Sequence, residues 1–307
     1  METRTLGKAG PALTVVGLGC NNFGMAIDAA AADRVVHAAL DAGITHFDTA
    51  EMYGGGQSEE MLGAALGARR DEAVIATKFL PRPAGEPYEP GRLAARIREG
   101  AELSLRRLGT DRIDLYHQHV PDPEAPVEEA LEALDGLVRA GKVLHIASSN
   151  VSGDQIAGAA AAEAHGWTAF TGTQIHWNLL QRDVERDVVP AAEAAGLGVV
   201  PYFPLASGLL TGKYRRNQPF PEGTRLARNE RLAAGATDEN FDRLEAYEAF
   251  AAERGHTVTE LAIAWLLAQP AVASVIAGAT RPAQVAANAA AATWRLSAGE
   301  ASALAAT

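Results

Sequence analysis

Short apolar runs alternate with helical stretches eight times along this chain, and no other feature limits its fold so strongly. The strand candidates cover residues 16–19, 45–48, 74–78, 113–119, 143–147, 172–175, 198–202 and 274–276. Helical periodicity follows the first six, over 31–42, 58–66, 91–108, 127–140, 153–165 and 187–195. Gly43, Gly141 and Gly196 close three of these helices with the residue that most easily takes a left-handed turn. Consecutive parallel strands need a crossover, which is what each helix supplies. Eight such units in 307 residues predict an α/β fold of the (β/α)8, TIM-barrel type. A doubly wound sheet would be expected to carry GxGxxG after its first strand, and Gly17-Leu18-Gly19-Cys20-Asn21-Asn22 lacks the third glycine.

The remaining segments fit around that frame. Segments 3–6 and 13–16 flank a turn at 7–11, a hairpin suited to capping a barrel bottom. Helices near 239–253 and 259–268 precede the eighth strand, and extra helices at 282–292 and 297–305 end the chain. No linker or repeat interrupts it, so one domain over 1–307 is expected. The polar loop 203–237 is longer than a connector needs to be, which suggests a functional lid.

Composition narrows the partners. A net charge of −11 argues against nucleic acid or an anionic membrane as a general partner, though not against a small polyanionic cofactor. No apolar run reaches the ~18 residues of a membrane span. The start METRTLGKAG lacks a signal peptide's apolar core, and Cys20 stands alone. A reducing cytoplasm is the expected setting.

Chemistry concentrates at the strand ends. Asp48, Lys78 and His119 each end a strand candidate, and Tyr53 follows the first on a glycine-rich loop, Tyr53-Gly54-Gly55-Gly56. In a barrel all four lie on the face where such barrels do chemistry. A lysine beside a phenol favours the phenolate, a carboxylate keeps that lysine charged, and an imidazole can hold a substrate oxygen. Together they form a proton donor poised against a carbonyl, as hydride reduction requires.

The segments HFDTAEMYG, VIATKF and IDLYHQHVPD resemble the three catalytic segments of the aldo-keto reductases. Similarity continues through IASSNVSGDQI, TQIHWNLLQRD, VVPYFPLASGLLTGKY and SVIAGATRPAQVAANAAA, covering nearly the whole chain in order. The resemblance implies that Tyr53 is the general acid, tuned by Lys78 and Asp48. The family's histidine lies five residues after the aspartate of DLYxxH; with Asp114 in that place the match is His119 and not His117. His117, two residues earlier on the same face, either touches substrate or fills the interior. For the cofactor, the resemblance implies that Ser149, Asn150 and Gln174 hold a nicotinamide carboxamide and Tyr202 stacks on its ring. Leu205, Gly208, Leu209 and Lys213 match a loop over the pyrophosphate, while Arg215 and Arg216 read as a solvated charge cluster. Gly278, Thr280 and Arg281 precede a helix from Pro282, and a helix N-terminus plus an arginine suits the 2′-phosphate of NADP(H), with NAD(H) still possible. Gln284 and Asn288 share one face of that helix, as in members that clasp the adenosine. Phe23, Met52, Phe79, Val120 and Trp177 are the expected pocket lining. Two departures bear on cofactor contacts: Phe203 replaces a usual serine, and His176-Trp177 a usual acidic or aromatic pair.

The expected activity is reversible reduction of aldehydes or ketones by NADP(H). Two alternatives stand beside it. His46, Asp48, His117, His119, His145 and His176 offer ligands for a metal-dependent barrel hydrolase, which would leave Tyr53 and Lys78 unexplained. A cofactor-binding regulatory subunit without turnover is the non-enzyme reading.

Overall fold

The computed structural model describes residues 1–82 and 85–305. Strands β1 (Thr3–Thr5) and β2 (Ala12–Thr14) pair antiparallel as the expected hairpin. Eight more strands form one parallel sheet: β3 (Val16–Gly19), β4 (His46–Asp48), β5 (Val74–Phe79), β6 (Ile113–Gln118), β7 (Val143–Ser149), β8 (Phe170–His176), β9 (Gly198–Tyr202) and β10 (Val275–Gly278). Neighbours in sequence are neighbours in the sheet, and β10 returns to pair with β3. The last seam is narrow. Val199 bridges to Val272 and exchanges backbone hydrogen bonds with Ala271 and Ala273, just before β10. The result is the (β/α)8 barrel that the alternation predicts.

Helices α1 (Ala29–Asp41), α2 (Gln57–Leu66), α3 (Arg92–Leu108), α4 (Val127–Arg139), α5 (Gly153–Ala162) and α6 (Val188–Ala195) follow strands β3 to β8 and clothe the sheet. Between β9 and β10 lie two one-turn helices that periodicity did not disclose, α7 (Arg225–Arg228) and α8 (Glu230–Ala233). Then come α9 (Asp238–Ala252) and α10 (Val258–Leu267), and α11 (Pro282–Ala291) and α12 (Ala298–Ala305) end the chain. The start of α10 is fixed by a capping box: Thr257 accepts from the Glu260 amide while the Glu260 carboxylate accepts from the Thr257 amide.

Alternation along each strand sorts side chains into two layers. Outward, Phe79 packs on Tyr116 at 5.1 Å between ring centres, against the helices. Inward, Ala76, Leu115, Ala147, Val200 and Ile276 meet Leu6 and Leu13 from the hairpin, both fully buried. The hairpin therefore plugs the bottom of the barrel. Its close docking depends on Gly7, at φ +61°, where a Cβ would lie 2.3 Å from the Thr171 carbonyl oxygen. Burying each leucine stabilises the fold by roughly 1.5–3 kcal/mol. Above this apolar floor the interior turns polar, and the site begins there.

Candidate active site at the barrel mouth

Asp48 ends β4 on its inner face, and Lys78 points inward from the adjacent β5. Lys78 is fully buried; its Nζ donates to Asp48 Oδ1 at 2.6 Å and to the Thr49 carbonyl at 2.7 Å. From the far side of the ring, Gln174 Nε2 on β8 donates to Asp48 Oδ2 at 2.8 Å. Burial pushes the Asp48 carboxyl up, but the Lys78 ammonium outweighs it and holds the acid below its ordinary value. Burial pulls Lys78 down, and Asp48 more than restores it, so the ammonium persists. A charge this deep survives because each partner supplies the other's missing solvation.

Tyr53 opens a tight turn, residues 53–56, in which Gly54, Gly55 and Gly56 have φ of 58°, 64° and 98°. Residues with side chains rarely take these angles. The run lets the chain bend sharply after the phenol, with Gly54 against the Phe23 carbonyl, and enter α2. Lys78 Nζ lies 5.1 Å from the centre of the Tyr53 ring. The sequence argument expected the lysine to lower the phenol's pKa. Burial is the larger cause, and the net direction is upward, with Lys78 pulling against it. Tyr53 is thus firmly protonated, as a proton donor must be, and the ammonium is placed to receive the phenolate.

His119 follows β6, its amide donating to the Phe79 carbonyl at 3.0 Å, and its ring stands edge-on to Tyr53 at 5.9 Å. Its Nδ1 is buried without a partner, while Nε2 is not sealed off. Burial, aided by the Lys78 charge, lowers its pKa to about 4, so the ring is neutral near pH 7. Deeper in, His117 is held at about 3 by the same causes; its Nδ1 lies 3.4 Å from the Ser148 carbonyl, and its Nε2 has no partner. His117 thus sits beneath the mouth in the barrel interior. His46, at about 4, bonds Ser274 Oγ at 2.8 Å.

Next to this quartet lies a polar rack. Ser149 Oγ donates to the Gln174 carbonyl at 3.0 Å, Asn150 Nδ2 to the His119 carbonyl at 2.8 Å, and Tyr202 OH to Asn150 Oδ1 at 2.8 Å. One face of Tyr202 is covered by the His176 ring, 5.3 Å away and nearly parallel. Among the described residues, four of the five non-glycine positive-φ residues gather here: Asn150, Phe203, Ala206 and Ser207. Backbone held in sparse regions marks a segment shaped for something other than stability.

The loop after β9 folds back over this end. Leu209 packs into the core, Leu205 and Gly208 are partly exposed, and Lys213 projects to solvent, its Nζ 5.0 Å from the Tyr214 ring centre. Arg215 and Arg216 are spent on α9 acids, Arg215 on Glu248 and Arg216 on Asp238, Asp242 and Glu245. Arg225, missed by the sequence argument, is different. It is partly buried and donates to Asn22 Oδ1 at 3.1 Å. Its guanidinium lies 5.7 Å from the Phe203 ring centre, and it has no carboxylate partner among the described residues. Asn22 also borders Gly278, where a Cβ would come within 3.3 Å of its Nδ2. An uncompensated cation, exposed main chain at Gly278 and a bare helix start together make a cradle for a polyanion. Arg281 caps α11, exposed and without an ion pair among the described residues. Gln284 instead accepts from the Thr280 amide at 2.7 Å and its hydroxyl at 3.0 Å, while Asn288 is buried.

Three expected lining residues do not reach the mouth. Phe79 faces the outer layer because its neighbour Lys78 faces in. Trp177, after inward-facing His176, packs on Trp265 at 5.8 Å and donates to Glu185 Oε1 at 2.9 Å. Phe23 is fully buried in the core beneath its loop. Met52 is half exposed and Val120 partly buried, next in sequence to Tyr53 and His119 respectively. Among the described residues, no three His, Cys, Asp or Glu side chains are placed to hold a metal ion, and Asp48 is committed to Lys78 and Gln174. No helix is long and apolar enough to cross a membrane among those residues.

The chain matches the Aldo/keto reductase family model over residues 15–307. It is 38% identical over 291 residues to an uncharacterized oxidoreductase of Bacillus subtilis, covering 91% of this chain and 87% of that one. A probable voltage-gated potassium channel subunit beta of Arabidopsis thaliana is 34% identical over 297 residues, 94% of this chain and 90% of the other. The L-glyceraldehyde 3-phosphate reductase of Escherichia coli K12 is 32% identical over 301 residues, 94% and 86% of the two chains.

Proposed function

The chain belongs to the aldo/keto reductase family, and from that premise we propose that it reduces aldehydes or ketones to alcohols with NADP(H), reversibly. The observation that carries this reading is the buried Asp48–Lys78 pair set beside a protonated Tyr53 and a neutral His119. A bound nicotinamide dinucleotide supplies the hydride. Arg225, Arg281 and the Gly278 backbone suit its phosphates, and Ser149, Asn150, Gln174 and Tyr202 suit its nicotinamide end.

The chain's own groups handle the oxygen. As negative charge grows on the carbonyl oxygen, the Tyr53 hydroxyl gives up its proton to it. Lys78, fully buried and kept charged by Asp48, stabilises the phenolate left behind, a preorganised electrostatic contribution. His119, neutral, offers an N–H from Nε2 to hold the same oxygen in line. Alcohol oxidation runs the proton back to Tyr53. Lys78 must stay protonated throughout, which its pairing with Asp48 favours.

The test is Tyr53→Phe, assayed with a reactive aldehyde by NADPH absorbance. Turnover should fall ~10²-fold or more, since a positioned proton donor is typically worth ~10²–10⁴. Cofactor affinity should hardly move. A mutant as fast as wild type removes Tyr53 from the reaction. The relatives named as channel β subunits favour a second reading, a cofactor-binding regulatory subunit. It predicts tight cofactor binding with negligible turnover across a carbonyl panel.

A further inference from the structure

Behind the barrel wall, between α4 and α5, lies a cavity of about 320 Å³. It sits on the outer face of the sheet, so the strands separate it from the mouth. Apolar groups make up most of its wall, among them Ala130, Ile156, Ala159, Phe170 and Leu197. Its floor is polar at one place. Gln118 on β6 and Ser148 on β7 are register partners, side by side on that face, and both line the cavity. Both are buried, at 6% and 2% exposure, and neither side chain has a hydrogen-bond partner among the described residues; Ser148 Oγ is sealed off even from the cavity, so the Gln118 amide is the polar group that a ligand can reach. The carboxylate in the wall, Asp122, is already committed: Arg82 Nε donates to it at 2.7 Å, and the Glu124 and Ala125 amides at 2.9 and 3.0 Å.

A buried amide side chain without a partner costs about 1–3 kcal/mol, so something is expected to satisfy Gln118. One water, whose share of liquid is about 30 Å³, could bond Gln118 but would fill only a tenth of the space. An engineered apolar cavity of about 150 Å³ holds benzene, so roughly twice that volume suits a fused bicyclic ring. Among the described residues no free charge faces inward, and burying an unpaired charge there would be prohibitive. We propose that this cavity is a binding site for a small, uncharged, mostly apolar molecule of about that size, whose one hydroxyl or carbonyl is held by the Gln118 amide. The site is independent of the reductase reading, although Gln118 and Ser148 immediately precede His119 and Ser149 in the chain.

The probe is 1-naphthol, titrated by fluorescence or ligand-observed NMR against the whole protein with NADPH and a reducible carbonyl's alcohol product at saturation, and naphthalene as the headless control. Saturable one-to-one binding is expected. Gln118→Met, close to it in size, should weaken 1-naphthol about tenfold, the scale of one net hydrogen bond, and leave naphthalene unchanged. Ala159→Leu fills the cavity and should abolish both. Should that variant fold poorly by circular dichroism, Gly158→Leu serves instead. An added Cβ there meets nothing within 4 Å, and leucine favours the helix more than glycine does. Absence of saturable binding, binding untouched by a folded filling variant, or equal affinity of wild type and Gln118→Met for 1-naphthol would overturn the assignment.

Discussion

At the bottom of the barrel, Leu6 and Leu13 meet Ala76, Leu115, Ala147 and Val200 in an apolar floor. Two residues further along the same inner faces stand Lys78, His117, Ser149 and Tyr202, with Asp48 between them. The floor gains free energy from burial; the mouth spends it on charges and unpartnered imidazoles. The difference teaches that one strand can serve packing and chemistry in successive inward positions. The apolar half fixes the frame against which the polar half is held in place. Strained backbone follows the same division, gathering at Asn150, Phe203, Ala206 and Ser207 near the mouth.

Removing one charge at the mouth should break this contrast most strongly. Lys78→Met leaves the Asp48 carboxylate buried without its cation, an expected loss of about 3–5 kcal/mol in a denaturant titration. Adding Asp48→Asn should recover much of that loss, because no uncompensated charge then remains. A double mutant as unstable as the single would mean that charge is not what the mouth is costing. At the floor, Leu13→Ala should cost about 2–5 kcal/mol as a cavity opens. Turnover per folded molecule should stay near wild type; a large fall in turnover would show that floor and mouth are not separable.

Acid sharpens the contrast. His46, His117 and His119 are held by burial at about 4, 3 and 4, below an ordinary histidine. Below their unfolded pKa near 6.5 the unfolded chain takes up protons that the folded barrel interior refuses. Stability from these groups is therefore complete above about pH 6.5 and is lost as pH falls toward 4. His117→Asn should flatten that decline by up to about 1.4 kcal/mol per pH unit. Urea midpoints at several acid pH values would read it, and parallel curves for mutant and wild type would count against the burial argument. The smallest effect is expected at the rim. Arg281→Ala should weaken NADPH about tenfold, the scale of one exposed charged contact, and leave NADH unchanged. Equal losses for both cofactors would mean that Arg281 does not read the 2′-phosphate.

Much of this was legible in one dimension. The eightfold alternation gave the barrel, and inward parity with strand-end position gave Asp48, Lys78 and His119. Alternation also held the signal against Phe79 and Trp177, each the next residue after an inward-facing one, and it was the lining expectation that ignored it. Arg225 was illegible. Its partner Asn22 is 203 residues away, and the helix that carries it is a single turn. The Gln118–Ser148 pair was equally hidden, because only the β6–β7 register sets them side by side over a void.

Residue types and spacing by themselves determined which groups meet at the mouth, since period and strand order dictate where inward-facing side chains fall. Tertiary structure decided what those groups are like once there. The sequence supplied a lysine to lower the Tyr53 pKa, but the sign of the shift depends on how much water burial removes, and that raised it. Desolvation is a property of everything packed around a group, contributed by residues from all along the chain, and no local pattern records it.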